Sequence, residues 1–159
     1  MASNPPAACC TVGVKHEGKA KGQFQPIGDV EAYISRPADG STERAILLLT
    51  DVIGHRFINA QLIADQLAAN GYPGFDLMTW LHGPPGHLLN RVEPVVQAIF
   101  EAIKSELGYE RVGAIGYCFG AKYAVRMLHP SLCDVAYPVL RFAKEAAFTQ
   151  AVAWFNQYL

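Results

Sequence analysis

The stretch Arg111-Val-Gly-Ala-Ile-Gly-Tyr-Cys-Phe-Gly-Ala121 constrains this chain more than any other. Arg111 to Ile115 is a short apolar run, of the kind buried on both faces of a parallel sheet. It leads straight into Gly116-Tyr117-Cys118-Phe119-Gly120, and the residues from Ala121 read as a helix through Leu128. A strand that becomes a helix within so few residues must turn sharply. Side chains at positions 116 and 120 would strike the adjacent strand or helix, and the residue between them takes a strained backbone conformation.

That turn has the form G-x-C-x-G, the nucleophile-elbow pattern with cysteine in place of serine. Its chemistry follows from its position. Cys118 stands at a helix N-terminus, where the helix dipole favours a thiolate. The backbone N–H of Phe119 points into the same space and can stabilise an oxyanion. The competing reading is a structural cysteine buried in a tight strand–helix turn.

The rest of the chain supplies an α/β pattern around this motif. Val30 to Ile34 alternates and suits a strand closed by Arg36-Pro37, and Ala45 to Thr50 is another continuous apolar run. Phe57 to Asn70 and Leu88 to Leu107 carry helical periodicity, with Gly71 and Gly108 where C-terminal caps belong. Pro94 fits the second helix only if that helix begins close to it. Cys133 to Tyr137 reads as a strand, and a last helix starts near Phe142. The spacing therefore predicts a three-layer α/β fold with a mostly parallel sheet. Residues 1–28 read as an extended lead-in and residues 29–159 as one domain. One junction is irregular. A strand is due after Gly71, but the chain offers Tyr72-Pro73-Gly74, with Phe75 to Leu81 as a makeshift candidate between Gly-Pro punctuation.

Composition narrows the function. Hydrophobic residues are 51% of the chain and charged residues 17%, which suits a core-forming globule. A formal net charge of −1 gives no electrostatic footprint for nucleic acid. The apolar run Ala45 to Leu49 falls far short of the ~20 residues a membrane span needs, and the first residues lack the order of a signal peptide. The expected location is the cytoplasm. Cys9, Cys10, Cys118 and Cys133 do not form the framework of a disulfide-rich domain. Cys9 and Cys10 with His16 lack zinc-site spacing, so no metal is expected.

Gly116 to Ala121 resembles the nucleophile segment of dienelactone hydrolases, a family of α/β-hydrolases. Thr50-Asp-Val-Ile-Gly-His55 resembles the loop after the family's first central strand, and Asn59 to Ala69 its first helix. Cys9-Cys10 and Val14 to Gly18 resemble the N-terminus of the fungal-type branch, and Lys144 to Leu159 the closing helix. The resemblance implies hydrolysis of small esters or lactones through an acyl-enzyme, without metal or cofactor. It makes Cys118 the nucleophile, Gly116 and Gly120 the elbow glycines, and Phe119 and Val52 the oxyanion donors. Asp51 becomes the acid that steadies the resting thiol, or else a strand-end residue bonding a turn.

The same resemblance exposes a deficit. The family's catalytic Asp and His follow the nucleophile, the His in a His-Gly-Phe-like loop before the closing helix. Here Tyr137 to Phe142 passes almost directly from strand to helix, and His129 is the only histidine after Cys118. His129 lies eleven residues down the elbow helix, about 16 Å at ~1.5 Å per residue, and Asp134 belongs to the far end of the sheet. His55 is the best-placed substitute, although a surface-loop histidine is its ordinary reading. His82 and His87 sit among Gly and Pro and read as loop residues. Two excisions are inferred, after Tyr72 and near Tyr137-Pro138. The expectation is a cysteine hydrolase acting poorly if at all, the alternative being an inactive α/β remnant that binds a ligand or partner. A glutamine amidotransferase-like enzyme is set aside because the downstream His-x-Glu is absent.

Overall fold

The apolar runs form the middle of one six-stranded sheet. Its strands are β1 (Gln23–Ile27), β2 (Val30–Ser35), β3 (Arg44–Leu49), β4 (Gly74–Leu77), β5 (Arg111–Tyr117) and β6 (Val135–Val139). They lie in the order β1-β2-β4-β3-β5-β6. The helices are α1 (Ile58–Ala69), α2 (Leu89–Ser105), α3 (Phe119–Arg126) and α4 (Lys144–Tyr158). This computed structural model describes residues 16–51, 53–77, 89–129, 131–139 and 144–159.

Strands β4, β3, β5 and β6 run parallel, β2 runs against them, and its hairpin partner β1 turns back into their direction. The two runs expected to be neighbours are neighbours, with Arg44 paired to Arg111 and Leu49 to Gly116. Side chains of β3 alternate between two cores, as a strand buried on both faces must. Ala45, Leu47 and Leu49 pack with α2 and α3 residues such as Ile99, Phe100, Ile103 and Tyr123. Ile46 and Leu48 pack with Leu67 of α1 and Phe155 of α4 on the other face. The result is the expected three layers.

Four expectations need correction. The first concerns the irregular junction. A strand does follow Gly71: Gly74–Leu77 forms β4, parallel to β3 and antiparallel to β2. Gly74 is not a breaker there, because a Cβ at that position would lie 2.7 Å from the Ala64 carbonyl oxygen of α1. The glycine lets helix and strand touch. Among the described residues the middle of the sheet is continuous, and its two edges are β1 and β6. Second, the sheet begins inside the lead-in, since Gln23–Ile27 pairs with Val30 to Ile34 of β2. Its side chains are mostly exposed, which is why no apolar period marked it.

Third, α2 starts at Leu89 and carries Pro94 as its sixth residue. The ring removes one backbone bond in the second turn, and the apolar face of Val92, Val96, Ile99 and Ile103 holds the helix to the sheet regardless. Fourth, α3 stops at Arg126. Leu128 and His129 instead form bridges to Cys133, which moves β6 two residues later than the apolar pattern suggested. None of the helices among the described residues is long and apolar enough to cross a membrane.

Candidate active site

Cys118 occupies the turn between β5 and α3 with φ 50° and ψ −111°. Among the described residues it is the only non-glycine with positive φ. Such a conformation costs on the order of 1–3 kcal/mol and persists only where its surroundings impose it. Here they do. A Cβ at Gly116 would lie 2.5 Å from Ala121 Cα, and one at Gly120 only 1.9 Å from the Leu49 carbonyl oxygen. The Gly120 N–H donates to the Thr50 carbonyl at 3.1 Å. The start of α3 is thus pressed against the end of β3, and the thiol is left exposed at the carboxyl edge of the sheet.

The loop after β3 reaches the same edge. Asp51 Oδ1 accepts the Ile53 N–H at 2.9 Å, a turn-forming bond between residues two apart. This is the strand-end role weighed for Asp51. Val52 lies outside the described residues, as do Cys9, Cys10, His82 and His87.

His55 is not the surface residue its loop position suggested. Its ring is fully buried, with Nε2 3.1 Å from Glu31 Oε1 on β2 and the ring packed edge-on against Phe24 of β1. Burial holds its pKa below the usual histidine value, although the Glu31 carboxylate pulls the other way. The imidazole is therefore neutral near pH 7, and Nε2–H donates to the carboxylate. Glu31 stands in β2, three strands from β5, so this bond is about 14 Å from the line of β5 at ~4.8 Å per strand. His55 as bonded here is no base for Cys118.

The other sequence candidates lie at the opposite edge. Asp134 Oδ2 accepts the Val112 N–H at 2.7 Å and pairs with Lys104 Nζ at 3.1 Å. Val112 begins the strand that ends before Cys118, so Asp134 is about 20 Å away at ~3.3 Å per residue. His129 is exposed beyond the C-terminus of α3, with Nδ1 2.8 Å from Ser131 Oγ. Cys133 is buried, its thiol pushed up to about 12 chiefly by that burial. No His, Cys, Asp and Glu cluster suited to a metal occurs among the described residues.

Sequence reasoning missed Glu31. Its carboxylate takes His55 and also the guanidinium of Arg56, at 2.7 Å from Oε1 and 3.0 Å from Oε2. No local pattern could have revealed it, because its partners lie more than twenty residues along the chain.

A doubly covered, mostly parallel sheet with a tight strand–helix turn, here carrying an exposed cysteine, after its central strand is the arrangement of an α/β-hydrolase fold. Solved structures agree. Thermogutta terrifontis esterase 2 superposes with a TM-score of 0.56 at 13% identity, covering 87% of this chain and 63% of that one. No family model matches the chain. Hydrolase tropI of Talaromyces stipitatus is 43% identical over 160 residues, and hydrolase pyvD of Aspergillus violaceofuscus 41% identical over 155. Each match takes in 86% of this chain, but only 63% and 62% of the relative. Dienlactone hydrolase 1 of Gibberella moniliformis is 28% identical over 152 residues, covering 79% of this chain and 57% of that protein. The chain is thus similar in sequence to fungal hydrolases and to dienelactone hydrolases, and its fold is that of the α/β-hydrolases. It spans about three fifths of the length of the fungal relatives it matches.

Proposed function

We propose that this chain is a cysteine-dependent hydrolase of small esters or lactones whose turnover is impaired. The observation that carries the reading is the strained, exposed Cys118 in a turn whose glycines touch backbone on both sides. Such strain is kept where a side chain must be presented to a substrate.

In this reading the Cys118 thiolate adds to the substrate carbonyl. The backbone N–H groups of Phe119 and Val52 receive the resulting oxyanion, and preorganised donors of this kind typically contribute 10²–10³-fold. The alcohol leaves with a proton and a thioester remains, which water then hydrolyses. Asp51 shapes the donor loop through its bond to Ile53 and, by the family resemblance, steadies the resting thiol. No metal or cofactor enters these steps.

Both proton transfers need a base, and the chain is poor in candidates. His55 is held by Glu31, and His129 lies at the other end of α3. Only residues 140–143 separate β6 from α4, too few for the strand and His-bearing loop that the family resemblance calls for. Acid–base assistance is worth roughly 10²–10⁴-fold, and triad members act as a unit. The same short connection favours the second reading, an α/β remnant that binds a small ligand without turning it over. We place the chain in the cytoplasm, where Cys118 and Cys133 would stay reduced.

The test compares this chain with a version in which the segments carrying the Asp and His are restored. Both are assayed on a p-nitrophenyl ester and a small lactone. The short chain should turn over at least a hundredfold more slowly, within the range acid–base catalysis supplies. Equal rates, abolished by Cys118→Ala, would show that another base serves and that the chain is not impaired.

A further inference from the structure

The loop between β3 and α1 is held from three directions. Asp51 ties its start through Ile53. Gln61, buried in the first turns of α1, donates through Nε2 to the carbonyls of His55 and Arg56, both at 3.2 Å. The third attachment comes from outside the loop and its helix, and it is Glu31. One carboxylate receives the buried His55 ring and the Arg56 guanidinium, while Phe24 of β1 packs against that ring and under that guanidinium. The antiparallel hairpin β1–β2 otherwise stands at the edge of the sheet farthest from Cys118. Its contact with the β3–α1 loop gives it a way to act on the site.

Resting on the reading that this loop supplies the second oxyanion donor, we propose that Glu31 is a positioning residue that fixes the loop through His55 and Arg56. The carboxylate touches neither the substrate nor the thiol. It ties the loop to β2, and by that reading the loop's oxyanion donor depends on this tie. A donor displaced by even ~1 Å loses much of its effect on the barrier.

This role separates two reactions of the same sulfur. In acylation by p-nitrophenyl acetate the thiolate adds to a carbonyl, an oxyanion forms, p-nitrophenolate leaves and a thioester remains. In alkylation by iodoacetamide the sulfur displaces iodide at carbon and no oxyanion forms. Loosening the loop therefore slows the first and spares the second.

The experiment measures both rate constants on the full chain for wild type, Glu31→Ala, Glu31→Gln and Cys118→Ala. Glu31→Ala should acylate about tenfold more slowly, as expected for a misaimed donor, and alkylate within about twofold of wild type. Glu31→Gln should fall between, because its amide oxygen can still accept but the negative charge that holds the Arg56 guanidinium is gone, and an NH2 donor replaces the second acceptor oxygen. If Glu31→Ala fails to fold, Glu31→Gln carries the same comparison. Equal slowing of both reactions, or unchanged acylation in both variants, overturns the proposal. If instead Cys118→Ala acylates as fast as wild type, the nucleophile reading beneath it fails, and that result is distinct from the others.

Discussion

The N–H of Gly120 donates to the carbonyl of Thr50 at 3.1 Å, which joins the turn of the nucleophile candidate to the end of the neighbouring central strand. A methyl group at position 120 would overlap the Leu49 carbonyl at 1.9 Å. That obstacle is strand backbone, which cannot rotate away. Gly120→Ala should therefore lower stability by at least about 3 kcal/mol, at the upper end of overpacking effects. Urea denaturation followed by circular dichroism checks this. A variant within about 1 kcal/mol of wild type would mean that β3 and α3 are not in contact as described.

The two described cysteines should differ in reactivity. Cys118 is exposed, whereas Cys133 is buried with its thiol pushed up to about 12 and its Sγ donating to the Val135 carbonyl at 3.2 Å. Only a thiolate attacks an alkylating agent at a useful rate. At pH 7, iodoacetamide followed by peptide mapping should label Cys118 well before Cys133. Earlier labelling of Cys133 would count against the assignment of the turn.

The buried His55 should make the fold acid-sensitive. Its folded pKa lies below the ordinary value of 6.5 because burial disfavours the imidazolium. The unfolded chain then binds the proton more readily than the folded one. The stability this neutral ring contributes is present above pH 6.5 and is lost as the pH falls from there toward the folded value. In wild type, the free energy of unfolding should drop between pH 7.5 and pH 5. His55→Gln should lack that part of the drop while keeping a donor for Glu31. Parallel pH profiles for the two proteins would show that folding does not shift the titration of this ring, and would contradict its burial as a neutral group.

What the sequence made legible, and what it did not, divides along physical lines. Strands β3 and β5 announce themselves because burial on both faces demands an unbroken apolar run. The turn at Cys118 is equally plain, since its glycines answer to contacts within a few residues. β1 was invisible because an edge strand with exposed side chains needs no apolar pattern. β4 was obscured by Gly74, whose reason is the backbone of Ala64 in α1. The burial of His55 depends on Phe24 and Glu31, which come from a hairpin that only the folded sheet brings near. The readable parts were those set by local geometry and burial, and the hidden parts were those set by pairs distant in sequence.

The central claim is that Cys118 still takes up an acyl group while the means to release it are missing. The direct measurement is the time course of intact mass after mixing with p-nitrophenyl acetate, followed by mapping of the acylated peptide. The account predicts one acetyl group, located on Cys118, that forms in a single phase and persists long after the p-nitrophenolate burst is complete. An acetyl group on any other residue, or steady release of product that continues unchanged in Cys118→Ala, would contradict it.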